Sequence, residues 1–316
     1  MDVQGEVVMY RLRMESCLLL GAAVLAGCGD RNAPTAPTVG PLASKSGTGH
    51  LRPPGQLAFV SNRYANYSYQ IYVMNADGSS PVRLTTSYPC ASIQPAWSPD
   101  GSKIVFITGC SGVDIWVMNG DGSGLANLTN SPAGYGNPTW SPDGTRIASD
   151  GITIMNADGT GVRVLPYGIE PDWSPDGTRI VFERFVYPDN GSANHDIYVM
   201  NADGTGVTQL TFTSVDDYSP AWSPDGKKIA FSCGWEMCVM NADGSAQVLL
   251  THLGGYNDYP TWSPDGTMLA FSSGYPFNGV GDIYVMRADG TDITRLTNGH
   301  DRFESNRPRW RPVSGR

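Results

Sequence analysis

The stretch Trp97-Ser98-Pro99-Asp100-Gly101 decides how this sequence folds, because copies of it recur along the chain. The full copies begin at Trp97, Trp140, Trp173, Trp222 and Trp262, and a shortened copy stands at Trp310-Arg311-Pro312. A second phrase, Met74-Asn75-Ala76-Asp77-Gly78, has later copies that begin at Met118, Met155, Met200, Met240 and Met286. Two phrases that alternate in this way indicate one structural unit repeated six times.

The segment from Pro220 to Thr251 shows what the unit is. Short runs of apolar residues alternate with turn sequences, of which Ser223-Pro224-Asp225-Gly226 and Asn241-Ala242-Asp243-Gly244 are the clearest. Proline fixes φ, and Asp-Gly suits the tight turn between antiparallel strands. Each unit therefore predicts four short antiparallel strands. A sheet this small cannot bury both of its faces, and repeats of about 40–45 residues are typical of propeller blades. The sequence predicts an all-β, six-bladed β-propeller.

The two ends of the repeat array complement each other. The first unit begins at the strand Leu57–Val60 and lacks a Pro-x-Trp strand before it, whereas Pro308-Arg309-Trp310 is left over at the end. We expect this last strand to complete the first blade and close the ring. The propeller would then span residues 55–312 as one domain, with residues 313–316 as a tail.

The two phrases resemble the TolB-type propeller repeat, and they are also similar to repeats in propellers of the prolyl oligopeptidase family. The resemblance covers nearly all of residues 55–312. It implies a propeller that binds other proteins of the bacterial periplasm. TolB-type proteins have an α/β domain before the propeller, and here a short linker stands in that place.

The first 27 residues read as a signal peptide. Arg11 and Arg13 precede a short apolar run, and Leu25-Ala26-Gly27-Cys28 resembles a bacterial lipobox. This resemblance implies lipid attachment to Cys28, at the periplasmic face of either the inner or the outer membrane. An ordinary signal peptide, with Cys28 incidental, is the alternative. Residues 28–54 are rich in Gly, Pro, Ser and Thr and are expected to form a flexible linker.

The remaining cysteines predict two disulfides. Cys90 and Cys110 lie in loops expected at the same end of the second blade, and Cys233 and Cys238 flank one hairpin. An even number of cysteines in an exported protein favours the pairs Cys90–Cys110 and Cys233–Cys238. Free buried thiols are the alternative. A shared zinc ion is disfavoured because the second and fifth blades are far apart, so no metal or other cofactor is expected.

The composition limits the partners. The net charge is −9, and the propeller sequence contains no run of Lys and Arg. Such a chain lacks the basic surface that nucleic acid or anionic lipid requires. We expect a monomer that reaches the membrane only through its lipid.

The turn sequences separate two ends of the propeller. All Ser-Pro-Asp-Gly and Asn-Ala-Asp-Gly turns fall at one end, the turn face, where their aspartates fit turn formation better than calcium binding. Every long, irregular loop falls at the other end, the variable face, and these loops are rich in aromatic residues, which suit binding surfaces. The binding candidates are Tyr64, Tyr67, Tyr69, Tyr187, Trp235, Tyr256, Tyr259, Tyr275 and Phe277. The alternative is that these rings order the loops by packing on one another.

The channel offers a second candidate site. Glu170 and Asp172 flank the proline of the fourth blade, and Arg307 and Arg309 flank that of the first. In a six-membered ring these blades are opposite, so the channel mouth would carry both charges and suit a zwitterionic peptide or a chain terminus. A solvated channel with screened charges is the alternative.

Signals for catalysis are weak. The sequence has no Gly-x-Ser-x-Gly motif, which marks the nucleophile of α/β-hydrolases. His195, His252 and His300 fall in loops of different blades, so we interpret them as isolated surface histidines rather than as a metal site. We therefore expect a non-enzymatic lipoprotein of the cell envelope that binds another envelope protein or a peptide. The alternative is a carbohydrate-binding or polysaccharide-lyase-type propeller that uses the aromatic and histidine side chains of the variable face.

Overall fold

The computed structural model describes residues 55–63, 68–86, 90–109, 113–130, 134–187, 193–275, 280–298 and 305–313. The signal peptide, the lipidated Cys28 and the linker predicted for residues 1–54 lie outside these ranges. Within them, the chain forms six four-stranded antiparallel sheets, which confirms the predicted fold class. No helix in these ranges is long and apolar enough to cross a bilayer.

The strands follow the repeated phrases in chain order. Blade 1 contains β1 (Gln56–Ser61), β2 (Gln70–Asn75), β3 (Val82–Arg83) and β24 (Ser305–Trp310); blade 2 contains β4 (Ala91–Trp97), β5 (Lys103–Gly109), β6 (Val113–Asn119) and β7 (Ala126–Asn127); blade 3 contains β8 (Thr139–Trp140), β9 (Arg146–Ser149), β10 (Thr153–Asn156) and β11 (Arg163–Val164). Blade 4 contains β12 (Ile169–Trp173), β13 (Arg179–Val186), β14 (Asn194–Asn201) and β15 (Thr208–Gln209); blade 5 contains β16 (Asp217–Trp222), β17 (Lys228–Cys233), β18 (Glu236–Asn241) and β19 (Val248–Leu249); blade 6 contains β20 (Tyr256–Trp262), β21 (Met268–Tyr275), β22 (Val280–Arg287) and β23 (Thr294–Arg295).

The core lies between neighbouring blades. Trp222 of blade 5 packs with Val181 and Val199 of blade 4, and Trp310 of blade 1 packs with Ala270 and Val285 of blade 6. Five of the blades place a fully buried phenylalanine on their second strand: Phe59, Phe106, Phe182, Phe231 and Phe271. Because both faces of a sheet are covered by its neighbours, apolar burial stabilises the ring rather than any single blade.

The turn phrases owe their recurrence to hydrogen bonding. In the Trp-Ser-Pro-Asp-Gly turn of blade 2, the Ser98 hydroxyl donates to the Asp100 carboxylate (2.5 Å), and Asp100 accepts from the Ser102 backbone N–H (3.0 Å). Ser98 also accepts from the Lys103 backbone N–H (2.9 Å), which fixes the start of β5. The aspartate therefore forms the turn, as the sequence predicts, and the structure shows that the serine does so too.

Arginines connect successive blades at the turn face. The Arg146 guanidinium lies 4.6 Å from the ring centre of Trp173, and Arg179 lies 4.7 Å from that of Trp222. Each of these pairs joins the second strand of one blade to the first strand of the next. Such cation–π contacts contribute about 0.5–1 kcal/mol each when exposed.

The C-terminal strand lies in blade 1. β24 pairs with β1, with Trp310 opposite Leu57 and Ser305 opposite Ser61. Arg311, which replaces the serine of the turn phrase, donates to Gln56 Oε1 (2.7 Å) and to the backbone oxygen of Gly101 (3.0 Å). This arginine thus links the end of the chain to both the first and the second blade.

The residue before the proline of each innermost strand adopts a left-handed backbone. The six residues and their φ angles are Gln94 (58°), Asn137 (46°), Glu170 (51°), Ser219 (49°), Tyr259 (57°) and Arg307 (52°). Proline has no N–H for the ladder and is tolerated in a strand at a bulge. The pairing register shifts at this position in most blades, as between Tyr218 and Ala221. No residue pattern in the sequence indicates this conformation, which turns the side chains of these residues towards the channel.

Candidate functional site

A chain of aromatic contacts extends over blade 4 at the variable face. Phe185 packs edge-on against Tyr187, with ring centres 4.8 Å apart, and against His195, at 5.0 Å. His195 in turn lies 5.1 Å from Tyr218 of blade 5. Tyr187 is 69% exposed, so this series of ring contacts ends at a side chain that faces solvent.

The loop between blades 4 and 5 continues the surface. The Asp216 carboxylate accepts a hydrogen bond from the backbone N–H of His195 in blade 4 (2.8 Å). The Asp216 backbone carbonyl accepts one from the backbone N–H of Gly234 in blade 5 (2.7 Å). This loop presents two apolar side chains to solvent, Phe212 at 76% and Val215 at 48% exposure. A single loop thereby joins the hairpin tips of blades 4 and 5.

Trp235 and Tyr256 complete the surface at the junction of blades 5 and 6. Their rings stack at 5.2 Å with an angle of 28° between the planes. Both remain accessible, with 57% of Trp235 and 42% of Tyr256 exposed. We call the set formed by Tyr187, Phe212, Val215, Trp235 and Tyr256 the aromatic patch.

The hairpin that carries Trp235 is held from several sides. The predicted disulfide joins Cys233 to Cys238 at its base. The Glu236 carboxylate accepts from the Thr251 hydroxyl (2.5 Å) and from the Asn257 side-chain amide (3.0 Å). Asn257 also donates to the Trp235 backbone oxygen (2.7 Å). The tip of the hairpin is thus preorganised before any partner binds.

Buried carboxylates lie under the blade 4 side of the patch. Glu183 is 1% exposed and lies 3.3 Å from His195 Nδ1. Burial raises the pKa of Asp217 to about 6, and the nearby Asp196 and Asp216 contribute to this shift. Burial also raises the pKa of Asp196. Asp196, Asp216 and Asp217 therefore lie close enough to interact at this end of blades 4 and 5.

The channel is crossed by Arg307. Its guanidinium donates hydrogen bonds to Asn137 Oδ1 (2.5 Å) and to the Tyr259 hydroxyl (2.6 Å). The guanidinium also lies 3.8 Å from the centre of the Tyr259 ring and forms an ion pair with Glu170 Oε1 at 3.8 Å. The Ser219 hydroxyl donates to Glu170. The side chains turned inward at the left-handed positions therefore form a polar bridge, and the charges predicted on opposite blades meet at its centre.

The neighbouring layer of the channel, on the side of the turn face, contains Asp172 and Arg309. The two residues line a cavity of about 180 Å³ to which all six innermost strands contribute. Burial raises the pKa of Asp172 to about 6, although the Trp222 N–H and Arg309 favour the charged form. The four channel residues chosen from the sequence thus form two layers rather than one mouth.

Other candidate residues are distributed as follows. Tyr69 is half-buried in blade 1, and Tyr259 belongs to the Arg307 bridge rather than to the aromatic patch. Cys90 is disulfide-bonded. The candidates Tyr64, Tyr67, Phe277 and Cys110 lie outside the described residues, and only the backbone of Tyr275 is described. Phe212 and Val215 are not among the binding candidates that the sequence indicates.

Metal binding finds no support in the described ranges. No group of three or more His, Cys, Asp or Glu side chains in this part of the chain could hold a metal ion. His195 is engaged by Glu183, His252 is exposed, and His300 lies outside the described residues. The turn aspartates accept hydrogen bonds from their own turns, as Asp77 does from Ser79.

Comparisons with known proteins agree with this architecture. Residues 36–167 match the family model of the TolB beta propeller domain. The Tol-Pal system protein TolB of Blochmanniella pennsylvanica (strain BPEN) is 34% identical over 70 residues, which are 22% of this chain and only 15% of that protein. The crystal structure of TolB from Acinetobacter baumannii superposes with a TM-score of 0.68 at 22% identity, over 82% of this chain and 67% of that one. A putative TolB from Agrobacterium tumefaciens gives 0.60 at 19% identity, over 82% and 99%.

Proposed function

We propose that this chain, a TolB-like six-bladed β-propeller, is a non-enzymatic binding lipoprotein of the cell envelope whose aromatic patch recognises another envelope protein or a peptide. The observation that carries the proposal is that five exposed apolar side chains lie at the variable face of blades 4 to 6, on loops that hydrogen-bond to one another through Asp216. Contiguous exposed apolar surface is uncommon on monomeric soluble proteins and marks interaction sites.

The chemistry of the patch suits protein recognition. Trp and Tyr dominate binding hot spots because they bury a large area and lose little conformational entropy. The Trp235 hairpin is preorganised by its disulfide and by Glu236, which reduces the entropy lost on binding. The carboxylates beneath blade 4 favour a partner that brings positive charge to the rim of the patch.

The resemblance to a relative named for the Tol-Pal system supports a partner in the envelope. We assign the anchor to Cys28, outside the described residues, at the periplasmic face of a bacterial membrane. Replacement of Cys28 by serine should release the protein from membranes without changing the propeller. Mass spectrometry of the wild-type protein that finds no lipid on Cys28 would remove the anchor from the proposal.

The binding proposal is tested with two matched variants. A partner captured by crosslinking in the native envelope is purified and titrated against the wild-type protein, a patch variant (Phe212→Ala with Trp235→Ala) and a control (Leu125→Ala with Val164→Ala). The control residues are 56% and 70% exposed but lie outside the patch. Loss of two hot-spot rings should weaken binding by about 30-fold or more, and the control should bind as the wild type does. Equal affinities for all three proteins at equal thermal stability would refute the proposal.

A further inference from the structure

The channel holds a second compartment, on the far side of the Arg307 bridge from the aromatic patch. It is the 180 Å³ cavity that Asp172 and Arg309 line, and its lining residues also include Thr139, Thr261 and the four tryptophans Trp97, Trp222, Trp262 and Trp310. Because Arg307 spans the channel between this cavity and the variable face, a ligand would enter from the turn face.

The two charged residues of the cavity face each other without pairing. Asp172 and Arg309 project from opposite blades and attract each other, but their N and O atoms do not come within the 4.0 Å of an ion pair. Asp172 accepts one hydrogen bond from the Trp222 backbone N–H (2.8 Å). Within the described ranges, the Arg309 guanidinium has no hydrogen-bond acceptor. The cavity thus holds one carboxylate and one guanidinium, each with unused hydrogen-bonding capacity.

Partial burial of unpaired charges is energetically unfavourable. Desolvation penalises both charged forms, and it raises the pKa of Asp172 and lowers that of Arg309. The nearby Arg307 adds a like charge that acts on Arg309 in the same direction. A ligand with a cationic group against Asp172 and an anionic group against Arg309 would relieve both penalties at once.

We propose that this cavity binds a small zwitterion that carries an ammonium and a carboxylate group, of the size of an amino acid. The carboxylate accepts hydrogen bonds from the Arg309 guanidinium, and the ammonium donates to Asp172. The volume fits this class, because a water molecule needs only about 10–15 Å³ of such space. This site is separate from the aromatic patch and does not depend on the partner that the patch binds.

The test uses tryptophan fluorescence and calorimetry on the purified full-length protein. The probes are glycine and β-alanine, with acetate and ethylammonium as the two half-ligands. A zwitterion should change the fluorescence, because four of the lining residues are tryptophans. It should bind at least about ten-fold more tightly than either half-ligand, since only the zwitterion hydrogen-bonds to both charged side chains.

Variants assign the binding to the cavity. Arg309→Met and Asp172→Asn should each weaken zwitterion binding by about ten-fold or more, whereas the exposed control Arg83→Met should not. If Arg309→Met fails to fold, Arg309→Lys, which keeps the charge, should fold and bind more weakly than the wild type. Absence of binding by either zwitterion at millimolar concentration, or acetate binding as tightly as glycine, would overturn the proposal. Neither result would affect partner binding at the aromatic patch, which is measured separately.

Discussion

At the scale of single residues, one turn position shows how backbone strain is distributed among the blades. The second residue after the glycine of the Asn-Ala-Asp-Gly phrase has a positive φ in every blade. The six residues and their φ angles are Ser80 (55°), Gly124 (66°), Gly161 (66°), Gly206 (65°), Ala246 (52°) and Asp292 (57°). Three blades have glycine there and three do not, so the chain provides its own comparison. A residue with a Cβ atom is strained in this conformation by about 1–2 kcal/mol.

Replacement of Ala246 by glycine should therefore stabilise the propeller. Glycine removes the strain but has more freedom to lose on folding, so the expected net gain is about 1 kcal/mol or less. The reverse change, Gly161→Ala, should destabilise the protein, because its Cβ would lie 2.7 Å from the Asn156 side-chain nitrogen. Urea unfolding of the two variants measures both effects. A loss of stability in Ala246→Gly would show that this position is not strained.

The ionisation of individual aspartates predicts how stability depends on pH. Hydrogen bonds from serines 98, 141 and 174 lower the pKa of Asp100, Asp143 and Asp176 to about 2, from the ordinary 3.8. A carboxyl group whose folded pKa is depressed stabilises the fold above pH 3.8, and that contribution is lost as the pH falls towards 2.

Three other aspartates, which are buried or half-buried, act in the opposite direction. Burial raises the pKa of Asp172, Asp217 and Asp258 to about 6. Folded protein then binds more protons than unfolded protein between pH 6 and 3.8, so stability rises as the pH falls through this interval. We predict that the free energy of unfolding has its maximum between about pH 4 and 5. Denaturant unfolding from pH 3 to 8 tests this, and a stability that falls steadily from pH 7 to 4 would contradict it.

At the scale of strands, a repeated Leu-Thr pair fixes the third strand of five blades. The hydroxyl of each threonine accepts a hydrogen bond from a backbone N–H of the third strand. The threonines are Thr85, Thr129, Thr211, Thr251 and Thr297, and the donors are, in the same order, Ile71, Ile115, Ile197, Met237 and Ile283. In blade 6, the Thr297 hydroxyl accepts from the Ile283 N–H (2.9 Å) and donates to Asp282 (2.7 Å). Blade 3 has Pro166 after its leucine and lacks this clamp.

Replacement of Thr297 by valine should remove the clamp at nearly constant volume. It leaves the Ile283 N–H without that acceptor and takes one donor from the buried Asp282, so the expected loss of stability is about 1–3 kcal/mol. Thr208→Val is a suitable control, because Thr208 is exposed and its hydroxyl donates only to Gly206 (3.2 Å). Equal unfolding free energies for the two variants would show that the clamp does not stabilise the blade.

At the scale of the whole molecule, the ring depends on the pairing of β24 with β1. Removal of residues 307–316 would expose the edge of β1, whose residues from Leu57 onwards are buried. An unprotected apolar edge favours aggregation, so this protein should be insoluble or should unfold without cooperativity. Removal of residues 313–316 alone leaves β24 in place and should have little effect. An unchanged melting transition in the longer deletion, measured by calorimetry, would contradict closure of the ring by this strand.

The sequence predicts the fold well and the site only in part, for physical reasons. Turn geometry is a local property, so the repeated Asp-Gly phrases mark every blade, and the spacing of Cys233 and Cys238 indicates their disulfide. The Arg307 bridge depends on residues that adopt a left-handed backbone before a proline. Six different side chains occupy that position in the six blades, so no residue type in the sequence marks it. The aromatic patch depends on contacts between loops of different blades, such as Asp216 with Gly234, which no local pattern encodes.

The most direct test of partner binding at the variable face uses two variants, each with one photoreactive amino acid. The first carries it in place of Phe212 in the aromatic patch, and the second, as a control, in place of Lys227 at the turn face. Both positions are highly exposed, so neither substitution should disturb the core. After irradiation in the native envelope, we predict one discrete crosslinked protein from position 212 and none from position 227, and the crosslink should disappear when Trp235 is also replaced by alanine. A discrete crosslink from position 227 alone would mean that the partner binds the turn face, and the central proposal would be wrong.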